Sequence, residues 1–144
     1  AVATALGAMR VQLAQVVRLA TLPPAAVEAF AEHADPVVRA AAIRSLGERP
    51  GPGGTAPVVR ALADPERDVR QVALGAIGRL GSAQAVPAVA RLTAGADLGQ
   101  VQLAVLTLGD IGGPAAHRYL ADIAENHPHP GIRALAARAM EPRE

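Results

Sequence analysis

Between residues 69 and 80 the apolar side chains Val69, Val72, Ala73, Ala76, Ile77 and Leu80 recur at i, i+3, i+4, i+7, i+8 and i+11. That spacing draws one stripe along a helix of 3.6 residues per turn, so it predicts an amphipathic helix. The next stretch repeats the idea with Val86, Val89, Ala90 and Leu92. Further apolar helical patterns run over 24–34, 56–63, 83–94 and 114–125. Two such helices cannot hide both stripes from water on their own. Neighbouring pairs must cover the rest, which is the logic of a stacked repeat.

The repeat itself is visible in register. Val38-Arg39 is followed by Ala42 and Leu46-Gly47, and Val69-Arg70 by Ala73 and Ile77-Gly78. Gln100-Val101 is followed by Ala104 and Leu108-Gly109, and Ile132-Arg133 by Ala136 and Met140-Glu141. Successive units stand 31, 31 and 32 residues apart. Asp35-Pro36 and Asp64-Pro65 precede the second helices of the first two units. Aspartate caps a helix start, and proline fits the first turn because no amide donor is needed there. Gly47, Gly78 and Gly109 are expected to release the chain into a turn. The predicted units are 23–49, 55–81, 83–112 and 113–141, within one domain spanning 1–144. Residues 1–22 read as a partial unit: one helix, or two broken around Gly7. The run Arg49-Pro50-Gly51-Pro52-Gly53-Gly54 is expected to be a flexible loop.

Asp64-Pro65 through Val69-Arg70, Ala73, Ile77-Gly78 and Leu80-Gly81 resemble the HEAT repeat family, most closely its short bacterial form named for phycobilisome lyases. The resemblance runs over about residues 24 to 141. It implies an all-α chain: an α-solenoid, coiled as a right-handed superhelix, of about four helix pairs plus an N-terminal helix. It also implies that second helices line a concave face. The chain departs from the pattern in places. Ala94-Gly95-Ala96-Asp97 stands where Asp-Pro is expected, and Val101 stands where arginine is expected. The fourth unit enters through His127-Pro128-His129-Pro130 and lacks the closing glycine.

Composition narrows the chemistry. Apolar residues make up 51% of the chain, enough to fold, but 34 residues are alanine and the aromatics are Phe30 and Tyr119 alone. Such a core relies on close approach of helix backbones. No cysteine is present, which removes disulfides, thiol nucleophiles and zinc thiolates. No apolar run approaches the roughly 20 residues of a membrane span, and the expected compartment is the cytoplasm. All 14 basic residues are arginine against 13 acids, a net charge of +1. That is far from the basic excess of a nucleic-acid binder.

Arg39, Arg70 and Arg133 occupy one position in three units. They form either a basic ladder for phosphate or carboxylate, or a structural tie to the loops. With Asp35 and Asp64 they are read as structural. Arg44, Arg79 and Arg138 lie elsewhere on second helices, toward the expected concave side, and are the candidate binding residues. Glu48, Asp97 and Asp110 share that surface. His127-Pro128-His129 faintly resembles a metal pair, with His117, Asp122 and Glu125 in range by sequence. Zinc wants four ligands, or three and a water, and an ordinary polar loop explains these residues better. Gly75 to Gly81 resembles a phosphate loop, but that motif opens a helix and this one closes it. Ser45 and Ser82 have no visible base.

These readings predict a non-catalytic protein-interaction or scaffold module, with no metal and no cofactor. Its partner is a protein, docked on second helices. Grip on a nucleic-acid backbone through arginine is the first alternative. An accessory or lyase-type domain of a larger enzyme is another, although two aromatics make a poor tetrapyrrole pocket. The apolar opening helix, with Val2, Leu6, Met9, Leu13, Val16 and Val17, leaves open a dimer or a continued stack through that face.

Overall fold

The computed structural model describes residues 2–144. Among them it holds nine α-helices, one short 3-10 turn and no strand. They are α1 (Val2–Leu19), α2 (Pro24–Phe30), α3 (Pro36–Glu48), α4 (Ala56–Ala61), α5 (Arg67–Leu80), α6 (Val86–Leu92), α7 (Leu98–Ile111), α8 (Gly113–Asn126) and α9 (Pro130–Ala139). The 3-10 turn, Ala83–Ala85, leads straight into α6. The fold is all-α and made of helix pairs: α2, α4, α6 and α8 are first helices, and α3, α5, α7 and α9 are the second helices that follow them.

Local chemistry sets the boundaries. Six helices carry proline at their first or second position, where the missing amide costs no hydrogen bond. Asp35 caps α3, its Oδ1 accepting from the Val37 amide at 2.9 Å. Asp97 caps α7 by accepting from the Gln100 amide at 3.2 Å. The chain leaves α5 and α7 at Gly81 and Gly112, with φ of 62° and 66°. Glycine occupies that left-handed region without a Cβ penalty. The expectation that Gly47, Gly78 and Gly109 release the chain is therefore corrected, because all three lie inside helices. Two of them serve close approach instead. A Cβ on Gly109 would stand 3.1 Å from that of Ala139, and one on Gly78 would stand 3.3 Å from a carboxylate oxygen of Asp110.

The chain divides into two compact units, one ending at Ala76 and one beginning at Ile77. In the first unit α1, α2 and α4 pack on α3. Leu19, Val27, Val38, Ile43, Leu46 and Leu74 are among its fully or nearly fully buried side chains. α1 runs unbroken through Gly7. The 49–54 loop, expected to be flexible, is tied to α2: the Gly53 amide donates to Glu28 Oε1 at 2.7 Å. A Cβ on Gly51 or Gly53 would collide with that carboxyl group, so these glycines make the tie possible. In the second unit α6, α8 and α9 pack around α7, and α8 also packs on α9. Ile77, Val89, Val105, Leu108, Leu120 and Ile132 lie in its core. No helix among the described residues is long and apolar enough to cross a membrane.

Candidate interaction surface

The repeated arginines share one pose. Nη1 of Arg39 donates to the carbonyls of His33 and Ala34, both at 3.0 Å. Nη1 of Arg70 donates to the carbonyls of Asp64 and Pro65 at 2.8 and 3.0 Å. Nη1 of Arg133 donates to the carbonyls of His127 and Pro128 at 2.7 and 3.2 Å. Each guanidinium thus reaches back six and five residues and holds the turn that precedes its own helix. Peptide carbonyls in such turns lack a helical partner, so the bonds satisfy groups otherwise left to water.

The other edge of Arg39 faces the following unit. Nε donates to Asp64 Oδ2 at 2.9 Å and Nη2 to Oδ1 at 3.0 Å, a two-bond fork on a carboxylate. The pair is well shielded, with side-chain exposures of 13% and 9%. Asp64 Oδ1 also accepts from the Glu66 amide at 2.9 Å. Burial pushes the Asp64 carboxyl up. The bonds from Arg39 and the Glu66 amide, with the charges of Arg39 and Arg70, outweigh it and hold the group below its ordinary value. The bond to Asp64 raises Arg39 in turn. One step earlier, Gln12 on α1 donates to Asp35 Oδ2 at 2.9 Å. Gln12 therefore stands where Arg39 stands, and α1 holds a second-helix place.

That equivalence exposes a contrast. Val11, next to Gln12, corresponds to Val38, Val69, Gln100 and Ile132. Those four are 0 to 7% exposed, whereas Val11 is 60% exposed. On the same helix Val2, Leu6, Met9, Leu13 and Val17 are all more than half exposed.

The His-Pro-His segment is a capping relay. His129 Nδ1 accepts from the Gly131 amide at 3.1 Å and caps α9. His127 Nδ1 accepts from the His129 amide at 3.1 Å, and its Nε2 lies 3.2 Å from the Thr93 carbonyl. A carbonyl only accepts, so Nε2 carries the proton and Nδ1 does not. Both nitrogens of His127 are thereby spent on backbone groups rather than left for a metal. The first unit has the same relay: His33 Nδ1 accepts from the Asp35 amide at 3.0 Å, and Asp35 caps α3. The sequence carried a signal for it, since His33-x-Asp35-Pro36-x-x-Arg39 recurs as His127-x-His129-Pro130-x-x-Arg133. Beside the larger imidazole, Gly131 leaves room: a Cβ there would stand 3.1 Å from the His129 ring. Val37 holds that place beside the smaller Asp35.

Arg44, Arg79 and Arg138 are exposed on α3, α5 and α9, with no side-chain hydrogen bond or ion pair among the described residues. In the first unit Arg44 lines a shallow groove of about 240 Å³ with Val16, Leu19, Ala41, Glu48 and Arg49. In the second unit a groove of about 650 Å³ runs past Thr93, Leu98, Asp122, Ile123, His127 and Pro130. Gln12, Glu28 and the capping histidines were not singled out for their contacts by sequence reasoning. Their partners lie 23 to 34 residues away or sit in turns whose backbone is not written in residue type.

No curated protein matches the chain. The model of the HEAT repeats family matches residues 23–103 and again 60–141, overlapping registers that span the four helix pairs. With the recurring Arg-held turns and paired helices, this match establishes that the chain belongs to the HEAT repeat family.

Proposed function

We propose that this chain is a non-catalytic protein-interaction module whose partner docks along the exposed faces of its second helices. The family to which it belongs commonly serves as a scaffold for other proteins. The observation that carries the reading is the distribution of exposed apolar side chains. Six of the ten large exposed ones, Val2, Leu6, Met9, Val11, Leu13 and Val17, sit on α1. Scattered apolar side chains are ordinary on a soluble surface, but a concentration on one helix marks an interaction site. Arg44, Arg79 and Arg138 supply unpaired guanidinium groups on other second helices, suited to carboxylates at the rim of an interface. Nucleic-acid binding finds less support, because the most regular arginines already hold turn carbonyls.

The test is affinity capture followed by binding of the recovered partner in purified form. Leu6→Gln with Leu13→Gln, and separately Arg44→Glu with Arg79→Glu, are expected to weaken that binding while the far-ultraviolet circular dichroism stays unchanged. Full binding by a chain carrying all four substitutions would overturn the reading.

A further inference from the structure

Two grooves of the chain are built on one plan and charged differently. In the first compact unit a groove of about 300 Å³ is lined by Glu32, Arg39, Arg60 and Asp64, among others. Its charges cancel within the chain. Arg39 grips Asp64 with two bonds, and Arg60 Nε stands 3.6 Å from Glu32 Oε1. Two repeats of 31 residues further on, Val101 replaces Arg39, Ala94 replaces Glu32 and Asp122 replaces Arg60. His127 takes the place of Asp64: the carbonyl of each accepts from the arginine six residues on. Both internal pairs are therefore missing from the corresponding groove of the second unit, whose volume is about 650 Å³. That is a usual size for a ligand site.

The charge left in this groove has the opposite sign to the one it replaces. Asp122 is exposed, and its Oδ1 accepts from Asn126 Nδ2 at 2.7 Å. Its Oδ2 has no hydrogen-bond partner among the described residues, and no arginine lines the groove. His127 and His129 line it, but each accepts a backbone amide at Nδ1, which leaves the ring neutral. The walls beside the carboxylate are apolar, with Ile123 buried and Leu98 42% exposed. A lone carboxylate above an apolar wall suits a cation on a methylene stem. The stem covers the wall and the charged head meets the carboxylate. Arginine fits better than lysine, because its planar fork can take both oxygens of a carboxylate.

We propose that this groove, between the third and fourth helix pairs, docks an arginine side chain of a protein partner, with Asp122 as its counter-ion and Leu98 and Ile123 as the bed for its stem. The inference rests on the interaction reading above only in taking the partner to be a protein. It places a contact away from the faces of α1, α3 and α5 named there. An acidic or phosphate-bearing ligand would meet the Asp122 charge with repulsion.

The experiment follows backbone amides of the full chain by nuclear magnetic resonance. The probe is the capped peptide Ala-Leu-Arg-Leu-Ala, compared with the same peptide carrying norleucine for arginine. The arginine peptide is expected to shift the amides of Ala94, Gly95, Ala96 and Asn126 at millimolar concentration, and the norleucine peptide to bind at least about fivefold more weakly. Asp122→Asn should remove that preference. Ala94→Glu with Asp122→Arg rebuilds the pair of the first groove and should abolish the shifts, with the circular dichroism unchanged. No shift, equal affinity of the two peptides, or a preference that survives Asp122→Asn would overturn the proposal. So would butylguanidinium binding as tightly as the peptide, which marks a small-molecule site, or the same shifts on concentrating the chain alone, which mark a second copy. A chain with Leu6→Gln, Leu13→Gln, Arg44→Glu and Arg79→Glu separates the two readings. It should lose the natural partner's docking on the second helices yet keep the peptide shifts.

Discussion

The turn before α3 and the turn before α9 are built alike and finished differently. Both place a histidine six residues ahead of an arginine whose Nη1 holds two turn carbonyls. Both route the amide two residues on to the histidine Nδ1. Yet the first is capped by Asp35 and followed by Val37, while the second is capped by His129 and followed by Gly131. The outward edge of the first arginine is filled by Asp64 and that of the second is open. The difference separates what a repeat does for itself from what its neighbour does for it. Holding the turn is internal, so it survives at every arginine of the series. Pairing the outer edge needs another unit, so it varies with position.

The largest effect expected is loss of the stack's interior. Ile77→Asp places an unpaired charge where exposure is 0% and should cost about 3–5 kcal/mol in urea unfolding. An unchanged midpoint would contradict the burial described for Ile77. Next comes the comparison of the two arginines. Arg39→Met removes turn and carboxylate bonds and leaves Asp64 unmatched, for about 2–3 kcal/mol, whereas Arg133→Met removes turn bonds alone, for about 1 kcal/mol. Equal losses would mean that the outer edge contributes nothing. The first loss should also depend on pH. Asp64 lies below its ordinary value when folded, so its stabilisation is complete above the unfolded carboxyl value of about 4. It fades as pH falls through the lower folded value. Unfolding of wild type and Asp64→Asn should accordingly differ at neutral pH and converge in strong acid.

A smaller effect should come from exchanging the caps. His129→Asp restores the cap of the first turn and is expected to add about 0.5–1 kcal/mol. Gly131→Val should be destabilising beside His129, since the ring stands in the way of its Cβ, and nearly harmless once His129→Asp has removed that ring. A double-mutant cycle over these two positions showing no coupling would remove the explanation of why imidazole and glycine occur together here. Least of all, Leu13→Gln on the exposed face of α1 should change stability by no more than about 0.5 kcal/mol. A much larger loss would mean that this face is covered in the free protein.

The amino-acid order alone determined that the chain is helical, paired and periodic. Those properties come from neighbours in sequence: apolar residues at 3.6-residue spacing, proline in first turns, aspartate at Asp35, and the 31-residue recurrence of Val38, Val69 and Gln100. Tertiary structure decided the rest, because it depends on which backbones meet. Gly78 and Gly109 look like helix ends by residue type, yet they serve close approach, and the left-handed exits fall three residues later at Gly81 and Gly112. The Gly-Pro loop looks unrestrained until Glu28 reaches it from another helix. Arg39 and Arg133 are identical letters in closely matching contexts. Only the arrival of Asp64 at one of them, across 25 residues of chain, tells a filled guanidinium from an open one.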